Sequence, residues 1–131
     1  MKRTIPENLL DLFEQRALAH LATLMPDGRP QVTPVWCDYD GRYVRINTAV
    51  GRQKDKNMMR DGRVALSIVD LASPDRYLEV RGRVALRTLD GADEHIDILS
   101  RKYLGTPYPY RSKNEQRVLY TIEPEQVSFM G

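Results

Sequence analysis

The chain has 131 residues, 41% of them hydrophobic and 29% charged, which fits one small globular domain without a separate catalytic module. Its formal net charge of +2 is too small to indicate general nucleic-acid binding, and no stretch approaches the roughly 18 apolar residues of a membrane span. Cys37 is the only cysteine, and with His20 and His95 it forms no zinc-binding spacing. We therefore expect a cytoplasmic protein whose single domain covers residues 1–131, with no metal, membrane or nucleic-acid partner.

The N-terminal segment has the pattern of a helix. Thr4 and Glu7 have the spacing of a capping box, with Pro6 in the first turn. Apolar residues recur at helical spacing from Leu9 to Leu18, so one stripe of this helix is expected to pack inward as scaffold.

Three extended segments follow, over residues 19–25, 30–40 and 43–47, and each break between them contains an Asp-Gly pair. Tight turns of this kind join neighbouring antiparallel strands, so the sequence predicts a three-stranded meander. Pro34 cannot donate a hydrogen bond to a neighbouring strand, which predicts that its strand lies at a sheet edge or at a bulge.

The second half of the chain predicts two further helices and more strands. A short polar helix begins in the loop after Asn47 and is expected to end at Gly62. Asp90 is the expected N-cap of the last helix, which Gly105 follows. Alternating apolar residues from 78 to 86 predict one buried strand face. The strands are expected over residues 64–70, 77–89, 117–124 and 126–131.

This order of elements predicts a mainly β (α+β) protein. Six to seven strands with about three peripheral helices favour an antiparallel barrel. A doubly wound parallel fold needs regular alternation of strands and helices, which is absent here, and the chain has no GxGxxG motif.

Basic residues are concentrated where the predicted polar helix begins. Residues 45–63 carry six arginines and lysines against two aspartates, a net charge of +4. Free N–H groups at a helix start attract anions, and nearby guanidinium and ammonium groups strengthen that attraction. The segment is therefore a candidate anion site, with an ordinary solvated helix face as the alternative. The basic residues are Arg45, Arg52, Lys54, Lys56, Arg60 and Arg63.

The segment from Gln31 to Asp70, followed by YLEVRGRV from Tyr77 to Val84, resembles the deazaflavin-dependent branch of the pyridoxamine-phosphate-oxidase-like split β-barrel superfamily. The resemblance extends over nearly the whole chain. It implies an antiparallel split β-barrel and a homodimer in which two cofactor sites lie in grooves at the subunit interface.

The resemblance also implies which residues bind the cofactor. The wall beside the tricyclic ring would be formed by Gln31, Thr33, Pro34 and Trp36. The phosphate and tail-binding loop would contain Thr48, Gly51, Arg52, Gln53, Lys54, Lys56 and Asn57. Tyr77 and Glu79 sit where the family often supplies interface residues.

The cofactor implied is coenzyme F420, whose phosphate and polyglutamate tail suit a basic groove. FMN also carries a phosphate and is the alternative, although the short chain without the longer Arg/Lys signature of the classical oxidases favours the deazaflavin. The expected activity is hydride transfer to a small conjugated molecule, such as a tetrapyrrole like biliverdin, a quinone or a xenobiotic. An FMN-dependent oxidase or reductase and a non-catalytic F420 carrier are the competing hypotheses.

The sequence leaves alternative roles for several aromatic side chains and predicts surface positions for the two histidines. Trp36 either covers a cofactor ring or fills the core. Tyr103, Tyr108 and Tyr110 line a substrate mouth, or the loop that carries the last two simply covers the surface. His20 and His95 are expected to face a strand surface and a helix surface.

Overall fold

A computed structural model describes residues 4–131, so the first three residues of the predicted domain lie outside the described part. The strands are β1 (Ala19–Leu24), β2 (Pro30–Val35), β3 (Cys37–Tyr39), β4 (Val44–Ala49), β5 (Arg63–Val69), β6 (Tyr77–Thr88) and β7 (Arg117–Met130). The helices are a 3-10 helix (Glu7–Phe13), α1 (Gln53–Arg60) and α2 (Ala92–Tyr103). None of the helices within residues 4–131 is long and apolar enough to cross a membrane.

The seven strands form one antiparallel sheet in the order β2-β1-β5-β6-β7-β4-β3. The sheet curls into a half-barrel, and its inner face carries the apolar core because alternate residues of each strand point inward. The predicted fold class, a mainly β split barrel of six to seven strands with three helices, is confirmed. Fully buried core residues from five strands are Leu21, Ile46, Leu66, Leu78 and Ile122.

The predicted three-stranded meander is wrong. The extended segment breaks at Trp36, and its two halves, β2 and β3, lie at opposite edges of the sheet. β2 pairs with β1, whereas β3 pairs with β4. Pro34 lies opposite His20 in the edge strand β2, where its missing N–H is not needed, as predicted. The break was not visible in the sequence because strand partners are selected by packing across the whole sheet.

The N-terminal helix is shorter than predicted. It is a 3-10 helix that starts after Pro6, and the capping box of Thr4 and Glu7 does not form. The Leu9 N–H instead donates to the Pro6 carbonyl at 2.9 Å. The helix ends at Phe13, so the prediction that its apolar stripe reaches Leu18 is wrong.

Two features of the C-terminal half also differ from the prediction. Helix α2 begins after Gly91 instead of Asp90, because Gly91 supplies a left-handed backbone with φ of +79°. The register of β6 against β7 shifts between Val84 and Leu86, which reverses the alternation. As a result Leu86 is 55% exposed although its parity predicts burial.

The predicted last strand pair is one continuous strand, β7, that runs through Pro124. Pro124 lies opposite Gly82, next to an irregularity in the ladder. A proline is tolerated in a sheet at such a bulge, so the strands predicted over residues 117–124 and 126–131 join without a break.

Candidate functional site

A cleft of about 240 Å³ opens between the break after β2, the start of α1 and the loop after α2. Its wall combines apolar and aromatic side chains with three cations. The lining residues are Leu18, Pro34, Val35, Trp36, Asn47, Thr48, Arg52, Lys54, Ile96, Tyr108, Tyr110 and Arg117.

The cleft brings together one part of the predicted cofactor set, namely Pro34, Trp36, Thr48, Arg52 and Lys54. The two predicted groups, the ring wall and the phosphate loop, therefore meet in one place although they are separated in the chain. Thr33 is half-buried on β2, and Lys56 is exposed on α1.

Other predicted residues lie beside the cleft and connect α1 to the sheet. Asn57 is fully buried, and its Nδ2 donates to Thr23 Oγ1 at 3.0 Å and to Gln31 Oε1 at 3.4 Å. Gln53 Nε2 donates to Asn57 Oδ1 at 2.9 Å. These polar contacts fix the position of α1, and with it the cations at the helix start.

The loop before α1 is held by a buried carboxylate. Asp55 is 1% exposed and accepts hydrogen bonds from the Gly51 N–H at 3.0 Å, Arg87 Nε at 3.0 Å and the Tyr120 hydroxyl at 2.6 Å. Gly51 adopts φ of +92°, a conformation that favours glycine at this turn. Asp55 thus connects the loop to β6 and β7.

The charge state of Asp55 follows from its partners. Burial alone would raise the pKa of this carboxyl. Hydrogen bonds from the Arg87 guanidinium and the Tyr120 hydroxyl outweigh burial and hold the Asp55 pKa below its ordinary value. Burial, together with Asp55, raises the pKa of Tyr120. The pair therefore stays an anion and a neutral phenol at neutral pH.

The positive charges of the three cations that line the cleft are only partly neutralised by carboxylates. Glu115 is 2.6 Å from Arg117 and 3.5 Å from Arg52. Lys54 has no ion pair among residues 4–131. Burial lowers the pKa of Lys54, and the positive charges of Arg52 and Arg117 lower it further. The negative charge of a bound anion would offset both effects, so the site is electrostatically suited to a phosphate or carboxylate.

Thr48, which lines this cleft, has a buried hydroxyl without a partner among the described residues. Thr48 is 2% exposed, and its Oγ1 has no hydrogen-bond partner within the described residues. An unsatisfied buried polar group costs about 1–3 kcal/mol, which a ligand oxygen or N–H would recover. Thr48 and Lys54 both line the cleft, and a polar, anionic ligand would offer each of them a partner.

The aromatic side of the cleft is ordered by stacking. The Trp36 and Tyr103 rings are nearly parallel, with centroids 5.3 Å apart, and Tyr108 meets Trp36 edge-on at 6.2 Å. The Tyr103 hydroxyl is fixed by donating to the Ala17 carbonyl at 2.7 Å. Trp36 is half-buried, so it neither fills the core nor lies free on the surface. Tyr110 stands 65% exposed at the mouth.

His95 does not face the helix surface as predicted. It is 2% exposed, and its ring lies between Asn47, at 3.2 Å from Nδ1, and Asp38, at 3.2 Å from Nε2. Asn47 and Arg117 line the cleft although the sequence did not indicate them. Arg117 gave no signal because it begins a strand far from the basic segment.

A wider cleft of about 450 Å³ lies on the outer face of the sheet, across β1, β5 and β6, and includes Ala22, Ala65 and Arg81. Tyr77 and Glu79 point to this same outer face, since they alternate along β6 with buried residues. These two predicted interface residues do not line the smaller cleft.

Comparison with known proteins agrees with this architecture. The family profile of pyridoxamine 5'-phosphate oxidase matches residues 5–131. An F420H(2)-dependent biliverdin reductase of Mycobacterium tuberculosis (strain CDC 1551 / Oshkosh) is 31% identical over 125 residues, which cover 94% of this chain and 86% of that protein.

Solved structures give the same picture. An F420 reductase superposes with a TM-score of 0.85 at 35% identity, over 95% of this chain and 98% of the other. HupZ of Group A Streptococcus superposes with a TM-score of 0.71 at 20% identity, over 96% and 94%, and supports the fold alone. The fold is thus that of the split β-barrels, and the chain belongs to the pyridoxamine 5'-phosphate oxidase family.

Proposed function

We propose that this protein is an F420-dependent reductase that transfers a hydride from reduced deazaflavin to a small conjugated organic acceptor. The observation that carries the proposal is the cleft, which is lined by the stacked Trp36 and by the side chains of Lys54 and Thr48, neither of which has a hydrogen-bond or ion-pair partner within residues 4–131. This combination suits a ligand with a flat ring at one end and negative charge at the other.

The residues of the cleft have distinct roles under this proposal. Lys54 and Arg52 bind the phosphate and the acidic tail, Arg52 as a bidentate donor and Lys54 as a point charge. Thr48 donates to or accepts from a polar group of the ligand, and Pro34 and Trp36 form a wall beside the ring. Gly51, held by Asp55, shapes the loop that carries these side chains.

When bound, reduced F420 supplies the hydride, and the protein contributes position and exclusion of water. The aromatic wall of Trp36 and Tyr108 keeps one side of the cleft apolar. The proton that completes the reduction is taken from solvent or from a cation of the cleft. This division of labour requires no nucleophile or paired acid and base from the chain.

Names of relatives agree with this chemistry. The curated relative at 31% identity is an F420H(2)-dependent biliverdin reductase, and the structure at 35% identity is an F420 reductase. The first acceptor candidate is therefore a tetrapyrrole such as biliverdin. A quinone and a xenobiotic are the other candidates, as expected from the sequence.

A second copy of the chain is proposed to complete the site. The cleft of about 240 Å³ is smaller than the roughly 300–1,000 Å³ typical of pockets that enclose a small molecule. Tyr77 and Glu79 are half-buried on the outer face of β6, and small residues such as Ala65 on the neighbouring strand β5 leave room there for a partner. We expect light scattering at micromolar concentration to give the mass of a homodimer. A monomer would contradict the shared site.

FMN is the alternative cofactor, because the cations around Thr48 would also accept its phosphate and the family profile is that of pyridoxamine 5'-phosphate oxidase. An FMN-dependent oxidase or reductase would use the same cleft. The preference between the two cofactors separates the hypotheses.

The activity is tested by mixing the protein with reduced F420 under anaerobic conditions and following the return of oxidised F420 absorbance. Biliverdin, a quinone and a nitroaromatic compound serve as acceptors. We expect oxidation that depends on both protein and acceptor. Tight F420 binding without turnover of any acceptor would instead favour the non-catalytic carrier.

A further inference from the structure

Arg117 is the most buried of the three cations that line the cleft. Its side chain is 7% exposed, its Nε donates to Asn47 Oδ1 at 2.9 Å, and its Nη1 donates to Glu115 Oε1 at 2.6 Å. The guanidinium carbon lies 5.2 Å from the centre of the Tyr108 ring. Nη2 has no hydrogen-bond partner within residues 4–131. Contacts thus fix one face and two nitrogens of the Arg117 guanidinium. Nη2 remains available as a donor on this side chain, which lines the cleft.

The side chain of Asn47 is fixed by two further contacts. Its Nδ2 donates to the Ala92 carbonyl at 2.9 Å and lies 3.2 Å from His95 Nδ1. Because Oδ1 accepts from Arg117 and Nδ2 donates to a carbonyl, the amide has one orientation. Asn47 can therefore donate to His95 Nδ1 only if that nitrogen carries no hydrogen.

This orientation determines the histidine tautomer. With Nδ1 as acceptor, the ring hydrogen is on Nε2 and points to Asp38 Oδ1 at 3.2 Å. Asp38 is anchored by Arg45, which donates from Nε at 2.9 Å and from Nη2 at 2.6 Å. A continuous chain of hydrogen bonds therefore runs from β3 through α2 and β4 to the guanidinium in the cleft.

A rigid guanidinium recognises an oxyanion at lower entropic cost than a free one, because its orientation is set before the ligand arrives. We propose that Arg117 is an anion-binding residue of the cleft, positioned through Asn47 by the buried His95–Asp38 pair. The ligand group it takes is a phosphate or carboxylate oxygen. The inference rests on the proposed function, since the anionic ligand is F420.

The test is the dissociation constant of F420 for wild type, R117K and R117Q, followed by quenching of the single tryptophan. Loss of a charge-assisted hydrogen bond is expected to weaken F420 binding about tenfold to a hundredfold in R117Q, with R117K between. The deazaflavin nucleoside without phosphate and tail should bind R117Q and wild type equally. R101Q, an exposed substitution on α2, is the matched control and should bind F420 as wild type does.

The phosphate and the tail are separated by a truncated F420 that keeps the phosphate but has no glutamates. If R117Q weakens binding of the truncated form as much as that of full-length F420, Arg117 contacts the phosphate. If the truncated form binds both proteins equally, Arg117 contacts a tail carboxylate. Both results support an anion-binding role.

The positioning role is tested at His95. In H95Q the amide can still accept from Asn47 and donate to Asp38, so affinity should stay near that of wild type. H95L should lose several-fold in F420 affinity but keep the affinity for the uncharged nucleoside. In the R117Q background, H95L should cause no further loss. Equal losses for F420 and the nucleoside, or additive losses with R117Q, would overturn the positioning role.

The binding measurements distinguish an error in the role of Arg117 from an error in the proposed function. If wild type binds F420 and R52A/K54A weakens it while R117Q does not, only the role of Arg117 is overturned. If wild type prefers FMN, the proposed cofactor is wrong and the same variants are measured with FMN, where an unchanged R117Q affinity would overturn the inference. If neither cofactor binds, both are overturned.

Discussion

Replacing Asp55 by asparagine should destabilise this fold although the side chain keeps nearly the same shape. In D55N the side chain keeps its size but loses the charge that Arg87 and Tyr120 bond to at 3.0 and 2.6 Å. Breaking a buried ion pair by removing one partner costs about 3–5 kcal/mol. Because the Arg87 side chain is 28% exposed and the amide oxygen remains as an acceptor, we expect a loss at or below the lower end, about 2–3 kcal/mol. That is a large part of the roughly 5–15 kcal/mol that stabilises a domain.

Urea denaturation at pH 7, followed by tryptophan fluorescence, measures this loss. D61N is the matched control, because Asp61 pairs with Arg63 at the surface and undergoes the same change of charge. We expect D61N to unfold as wild type does. A D55N protein as stable as wild type would refute the claim that the Asp55 contacts hold the loop and the sheet together.

The stabilities of wild type and D55N should become similar at acidic pH. The Asp55 pKa in the folded state lies below its ordinary value of 3.8, so the carboxylate stabilises the fold above that pH. Its contribution is lost as the pH falls from 3.8 toward the lower folded value, where the carboxyl takes up a proton. The difference in free energy of unfolding between wild type and D55N should therefore narrow in this range. A constant difference at all pH values would contradict the assigned charge state.

Two further variants, one double and one single, test the site and the sheet. R52A/K54A should keep the fold, judged by circular dichroism, and weaken F420 binding by about 1–3 kcal/mol for each charge-assisted hydrogen bond removed; unchanged affinity would place the acidic tail elsewhere. G82A should lower stability by roughly 1–3 kcal/mol in thermal denaturation, since a Cβ there would overlap the Glu123 carbonyl oxygen. G62A, where the nearest atom is 3.5 Å away, is the control, and equal stability of the two variants would contradict the close packing of β6 on β7.

The fold class could be predicted from the sequence because its signals are local. Alternating apolar residues and Asp-Gly turns specify antiparallel strands, and Gly105, with φ of +81°, ends α2 where expected. Strand order could not be predicted. The break at Trp36, which sends β2 and β3 to opposite edges, depends on the closure of the whole sheet.

Some residues of the site could be predicted from the sequence and others could not. Arg52 and Lys54 stood out because like charges in one segment are visible in the sequence, and the resemblance to a family placed Trp36 beside them. His95 and Arg117 were missed because each acquires its surroundings from strands distant in the chain. Such buried polar contacts are set by tertiary packing, which a local pattern of residue types does not encode.

The central claim, that the cleft is a deazaflavin site, is tested most directly by titrating the protein with F420 and, separately, with FMN. Quenching of Trp36, corrected for inner-filter absorption, reports binding because this side chain lines the cleft. We predict tight, saturable binding of F420 and much weaker binding of FMN. Preference for FMN, or no binding of F420, would contradict the claim.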